Sequence, residues 1–167
     1  MATSARQLVP TPDVAVNLVR AKAGDSFKLG TITIRVMEDG SNTHDRLGTA
    51  EFTIPPHTDG PPMHWHEMHD ETFLVLSGRL RFHVKGGDVI NCGLGDYVTV
   101  PVRAPHTFSN PFDEECKFLN TFTPAYYINY FKLLSQLTEA GKPMDKEANA
   151  KAMAYFATIG VLDDGIT

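Results

Sequence analysis

At 167 residues, 42% of them hydrophobic and 21% charged, the chain has about the length of one domain and enough apolar side chains for a core. Disordered and fibrous classes are thereby excluded. Its formal charge of −5, with no cluster of Lys or Arg, argues against nucleic acid and anionic membrane as partners. No apolar run approaches the roughly 20 residues of a membrane-spanning helix. The opening segment MATSARQLVPTPD lacks an apolar signal-peptide core. The two cysteines, Cys92 and Cys116, cannot build a disulfide framework and lack CxxC spacing. A soluble, cytoplasmic, single-domain protein is expected.

Residues 31–36 alternate apolar and polar with period two, which predicts a strand with one buried face. Ala50, Phe52 and Ile54 alternate likewise with Glu51 and Thr53. The Pro-rich run 55–62 reads as a stiff loop inside the β region. Beyond Ser77 and Gly78, Leu80, Phe82 and Val84 share one face of a strand, and Arg79, Arg81, His83 and Lys85 the other. Gly86, Gly87 and Asp88 make the next turn. Residues 97–100, 106–109 and 116–122 are further β-rich runs, and the cysteines are plain strand residues. Strands recurring about every ten residues, with no helix between them, predict a sandwich or barrel and argue against a parallel α/β sheet.

The pattern changes after Pro124. Tyr127, Tyr130, Phe131, Leu134 and Leu137 form a stripe at helical spacing, which Gly141 and Pro143 stop. Asp145 is placed to cap a second helix. On it Ala148, Ala152, Tyr155, Phe156 and Ile159 share a face, and Gly160 ends it. The expected layout is a β domain over 1–124 and a helical extension over 125–167. The aromatic stripe is expected to pack on the β domain or a partner, with a lid over its mouth as the other reading.

Three of the seven histidines, His64, His66 and His69, crowd into one short segment. On a strand, His64 and His66 point to one face while Trp65 points away. Glu71 follows a short charged turn containing Glu67 and Asp70, and can re-enter the same space from the next strand. Two histidines and a carboxylate on one side of a metal form an arrangement that keeps coordination positions open. His106 is a fourth candidate. His69 reads first as a solvated turn residue, and second as a proton-transfer group beside the metal. Strand parity places Phe73, Val75, Phe108 and Asn110 on the ligand side, as barrel core and as a substrate pocket. Arg103 reads as a loop residue, with gripping of a substrate carboxylate or enolate as the alternative.

The run Gly60-Pro61-Pro62-Met63-His64-Trp65-His66, followed by Glu71 and Gly78, resembles the first motif of the cupin superfamily. The run 95–101, ending in Pro101 and followed by His106 and Asn110, resembles the second. Residues 79–94 separate the two motifs, which span 60–78 and 95–110. The resemblance is concentrated between about residues 45 and 123 and departs from the pattern twice. The leading glycine, Gly60, sits closer to His64 than is usual, and Arg103 stands where the second motif usually has glycine. Neither departure removes a ligand.

The resemblance implies an all-β fold, an antiparallel jelly-roll barrel, here with two C-terminal helices. It implies one divalent transition metal (iron, manganese, nickel, cobalt, copper or zinc) held by His64, His66, Glu71 and His106. Likeness to quercetin-dioxygenase-type cupins of fungal secondary metabolism implies a dioxygenase-like oxidoreductase acting on a small aromatic, enolic or polyketide-like metabolite. Glu71 would then serve as catalytic base as well as ligand, with His69 as the second catalytic candidate. The alternatives are a non-redox isomerase, cyclase or lyase using the metal as Lewis acid, and a non-catalytic binding cupin. Expected partners are the substrate, dioxygen and a second copy in a homodimer, since an exposed sheet edge needs cover.

Overall fold

The computed structural model describes residues 13–142 and 144–161. Pro143, and nearly all of the opening segment whose lack of an apolar core was noted above, lie outside the described residues. The strands, in chain order, are β1 Asp25–Leu29, β2 Ile32–Asp39, β3 Gly48–Ile54, β4 Thr58–Asp59, β5 His64–His66 and β6 Asp70–Ser77. They continue with β7 Arg79–Val84, β8 Val89–Gly93, β9 Tyr97–Val100, β10 His106–Asn110 and β11 Cys116–Thr123. A 3-10 turn over Ala125–Tyr127 leads into α1 Ile128–Glu139, then α2 Lys146–Tyr155 and a last strand, β12 Thr158–Gly160.

Two antiparallel sheets result. One runs β1-β2-β3-β11-β6-β9; the other runs β12-β5-β10-β7-β8, with β4 also on β10. This is the jelly-roll arrangement expected, and its interior follows from period-two patterning. Ala50, Phe52 and Ile54 on β3 are buried, as are Phe118 and Phe122 on β11 and Phe73 and Val75 on β6. Phe52 lies directly opposite Phe118 across the β3–β11 ladder, with rings stacked at 5.0 Å. Full burial of each such ring contributes about 2–3 kcal/mol. Gly78 joins β6 to β7 at φ +67°, and a Cβ there would sit 2.2 Å from the carbonyl oxygen of Glu115. Only glycine meets both demands.

The helical extension starts as its periodicity predicts. Tyr127, Ile128 and Tyr130 are buried, and Lys132 on α1 reaches Asp39 at the end of β2, 2.6 Å away. Asp145 caps α2, its side chain accepting from the Ala148 N–H at 2.8 Å. The second half of this region corrects the expectation from the sequence. The helix ends at Tyr155, Ala157 takes a left-handed φ of +54°, and Ile159 and Gly160 belong to β12. Met153, Phe156 and Thr158 are buried here, whereas Tyr155 is 74% exposed. The physical reason lies in β5, whose free edge is filled by Thr158, Ile159 and Gly160 opposite His66, Trp65 and His64. Two β-branched residues in a row suit that pairing better than another helical turn.

Candidate metal centre and its cavity

Three strands converge on one point. β5 carries His64 and His66, both buried, with Trp65 turned outward and its indole N–H donating to Glu67 Oε1 at 2.8 Å. His106 opens β10 directly opposite His64. Glu71, near the start of β6, faces the same interior between Phe122 on β11 and Val100 on β9. Pairing within the sheets thus brings together residues far apart in sequence. Glu71 Oε1 lies 3.4 Å from His66 Nε2 and 3.5 Å from His69 Nε2, and Oε2 lies 3.3 Å from His106 Nε2.

The outer nitrogens settle the tautomers. His64 Nδ1–H donates to the Pro62 carbonyl at 2.8 Å and His106 Nδ1–H to the Ala104 carbonyl at 3.0 Å. The Thr158 hydroxyl donates to the Phe156 carbonyl, so it accepts from His66 Nδ1–H at 2.8 Å. Each ring therefore turns a bare Nε2 lone pair inward. Burial, reinforced by His106 and His66, lowers His64 to about 3; burial also lowers His66. Burial alone would raise the Glu71 carboxyl, but the surrounding imidazoles, His66 first, hold it well below its usual range. At pH 7 His64 and His66 are therefore neutral and Glu71 is a carboxylate, the protonation states that metal binding requires of them.

Lone pairs facing a carboxylate in a dry interior repel one another unless a cation lies between them. His66 Nε2 and His69 Nε2 are buried without a hydrogen-bond partner. The donor set therefore fits a divalent metal, which His64, His66, His106 and Glu71 would hold. His64, His66 and His106 have ligand atoms within 4.8 Å of one another, as do His66, His69 and Glu71.

His69 is a correction. It is not a solvated turn residue but 3% exposed. Its ring lies 3.9 Å from that of His66 and 4.5 Å from that of Tyr127. Sequence reasoning had not picked out Thr158, and it had placed Tyr127 only in the helical stripe, not beside the histidines. Both belong to the segment after β11, and no spacing rule links residues so far along the chain to the histidine motif. Burial first, then the Glu71 charge, raises the Tyr127 phenol well above its usual value, so it stays protonated.

The cluster forms one wall of a cavity of about 280 Å³. His64, Glu71 and His106 lie at this wall, and Phe52, Phe73 and Phe108 line the barrel interior. Tyr127, Tyr130 and Phe131 line the cavity from the helical extension. Phe73 and Phe108 lie where parity put them. Val75, Asn110 and Arg103 do not line the cavity. Val75 is buried further along the strand in the core. The Asn110 amide instead holds loop carbonyls, those of Ile54, Pro55 and Glu114, at 2.8–3.1 Å. Arg103 points outward to Glu67 Oε2 at 2.8 Å, while its backbone N–H donates to the His66 carbonyl at 2.8 Å. Its φ of +67° accounts for the glycine usual at this position. Asn120, also unanticipated, lines the cavity with Nδ2 bound to the Thr72 carbonyl at 3.0 Å.

Residues 50–122 match the family described as Cupin domain. No curated protein matches the chain by sequence. Among solved structures, the chain is similar to the polyketide cyclase RemF from Streptomyces resistomycificus, with a TM-score of 0.59 and 23% identity over 65% of this chain and 80% of that one. An RmlC-like cupin from Shewanella frigidimarina gives a TM-score of 0.56 at 17% identity, over 66% and 92% of the two chains. KdgF from Halomonas sp. gives 0.52 at 18% identity, over 60% and 87%. These likenesses are of fold.

Proposed function

With residues 50–122 placing the chain in the cupin superfamily, we propose that it is a metal-dependent enzyme, dioxygenase-like, that converts a small aromatic, enolic or polyketide-like metabolite. One observation carries this reading: a largely apolar, aromatic cavity of about 280 Å³ ends on a buried His/Glu donor set. A cavity of this kind selects a flat apolar body with one polar, metal-seeking edge.

His64, His66, His106 and Glu71 would hold one divalent ion among iron, manganese, nickel, cobalt, copper and zinc. When bound, the ion supplies Lewis acidity and, where redox-active, a route for electrons to dioxygen. The protein's own groups do the rest. Phe73 and Phe108 hold the ring of the substrate, and Tyr127, Tyr130 and Phe131 exclude water above it. Glu71, at the cavity wall, accepts the proton that an enol or phenol loses on ionising.

A second reading, a non-redox cyclase, isomerase or lyase, is favoured by that same carboxylate. A buried base facing the substrate can move a proton with no oxygen consumed. The proposed partners are the substrate, dioxygen and a second copy of the chain.

The test starts with elemental analysis of protein purified without added metal, for wild type and for His66→Ala with His106→Ala. Near-stoichiometric metal that disappears in the double variant supports the site, and its absence even after reconstitution overturns the reading. Oxygen uptake with a panel of phenols and 1,3-dicarbonyls then separates the chemistries. Turnover that persists without air removes the dioxygenase.

A further inference from the structure

His69 lies inside the donor cluster, yet none of the hydrogen bonds there uses its Nε2. The residue is 97% buried and this nitrogen has no hydrogen-bond partner. It lies 3.5 Å from Glu71 Oε1, beyond the 2.7–3.2 Å typical of an N–H···O bond. Two donors bound to a common ion at about 2.1 Å sit roughly 3 Å apart when adjacent and roughly 4.2 Å apart when opposite. The spacings of Glu71 to His66, His69 and His106, from 3.3 to 3.5 Å, fall between those limits.

We infer that His69 is a further ligand of the metal centre, adding a fourth imidazole to those of His64, His66 and His106 beside the Glu71 carboxylate. The inference rests on the metal-binding reading above and extends it. His66 and Glu71 belong to the same close donor group as His69, and His66 also belongs to the group of His64 and His106, so His66 links the two. Tyr127 packs its ring on that of His69 at 4.5 Å and on that of His66 at 4.8 Å, fixing the pair side by side. The chemical consequence concerns open positions. A six-coordinate ion with four protein donors keeps two places for outside molecules, whereas five donors leave one. Substrate and a second small molecule would then compete for a single place, or displace His69 to share the ion.

X-ray absorption on the intact protein loaded with cobalt(II) alone tests this by counting imidazoles in the extended fine structure. The expected count is four for wild type and three for His69→Ala, with His69→Gln as a second variant of similar bulk. Cobalt affinity should fall by more than the ~10- to 100-fold that loss of an outer hydrogen-bond partner brings. A wild-type count of three, or a count unchanged in both variants, overturns the role of His69 and leaves the four-donor site standing. No cobalt uptake by wild type overturns both. The wild-type spectrum decides even if the alanine variant fails to fold.

Discussion

Thr158 does its work from the far end of the chain. Its hydroxyl accepts the His66 Nδ1–H at 2.8 Å, and both side chains are almost fully buried. Thr158→Val keeps the shape and removes the acceptor, leaving a buried N–H unpaired at a cost of about 1–3 kcal/mol. Metal affinity, measured by chelator competition, should drop ~10- to 100-fold, and Thr158→Ser should restore most of it. An unchanged affinity would show that the ring needs no such anchor. At Arg103 the expectation runs the other way. The residue holds a left-handed φ of +67°, and its ion pair with Glu67 is largely exposed. Arg103→Gly relieves left-handed backbone strain and loses only a solvent-screened surface pair. The melting temperature should therefore stay level or rise.

At the level of elements, the extension is tied to the barrel by ions as well as by rings. Hydrogen bonds from the Lys132 ammonium and from Ser41 hold the Asp39 carboxyl at about 2, below its ordinary value of 3.8. The unfolded chain therefore takes up this proton first. The stabilisation is complete above pH 3.8 and is lost as the pH falls through about 2. Asp39→Asn should lower the melting temperature of the metal-free protein near neutral pH, and the difference from wild type should close as the pH is taken down to about 2. A gap that persists in acid would mean the pair contributes through packing and not through charge. β12 is the other tie. Its pairing with β5 along His64, Trp65 and His66 makes the extension part of the sheet that carries His64, His66 and His106.

Across the whole molecule, the two sheets end on β8 and β9, consecutive strands whose outer edges are unpaired among the described residues. Around them Val89, Ile90, Leu94 and Tyr97 are 47–75% exposed. An apolar edge of this kind invites a strand from outside. A second copy of the chain is the proposed occupant. Light scattering on the eluting protein should give a dimer for wild type and a monomer for Ile90→Lys with Tyr97→Glu. A wild-type monomer would remove the proposal. Among the described residues, no helix is long and apolar enough to cross a membrane.

Period-two alternation at 31–36 and 50–54, the HxH spacing of His64 and His66, and the helical stripe from Tyr127 were all readable in the sequence. Each is a local consequence of which way successive side chains point. The same holds for Asp145, whose cap depends only on the next turn. Local pattern ran out where distant segments compete. Ala148 to Phe156 looked like a helix that would continue, and only the open edge of β5 decided that Thr158 and Ile159 join a sheet. Parity placed Phe73, Val75, Phe108 and Asn110 on one face but not at one depth, so the sequence alone could not separate the cavity wall from the packed core. His69 was misjudged for the same reason. A turn is solvated unless something packs over it, and Tyr127, brought back by the chain after β11, does so here.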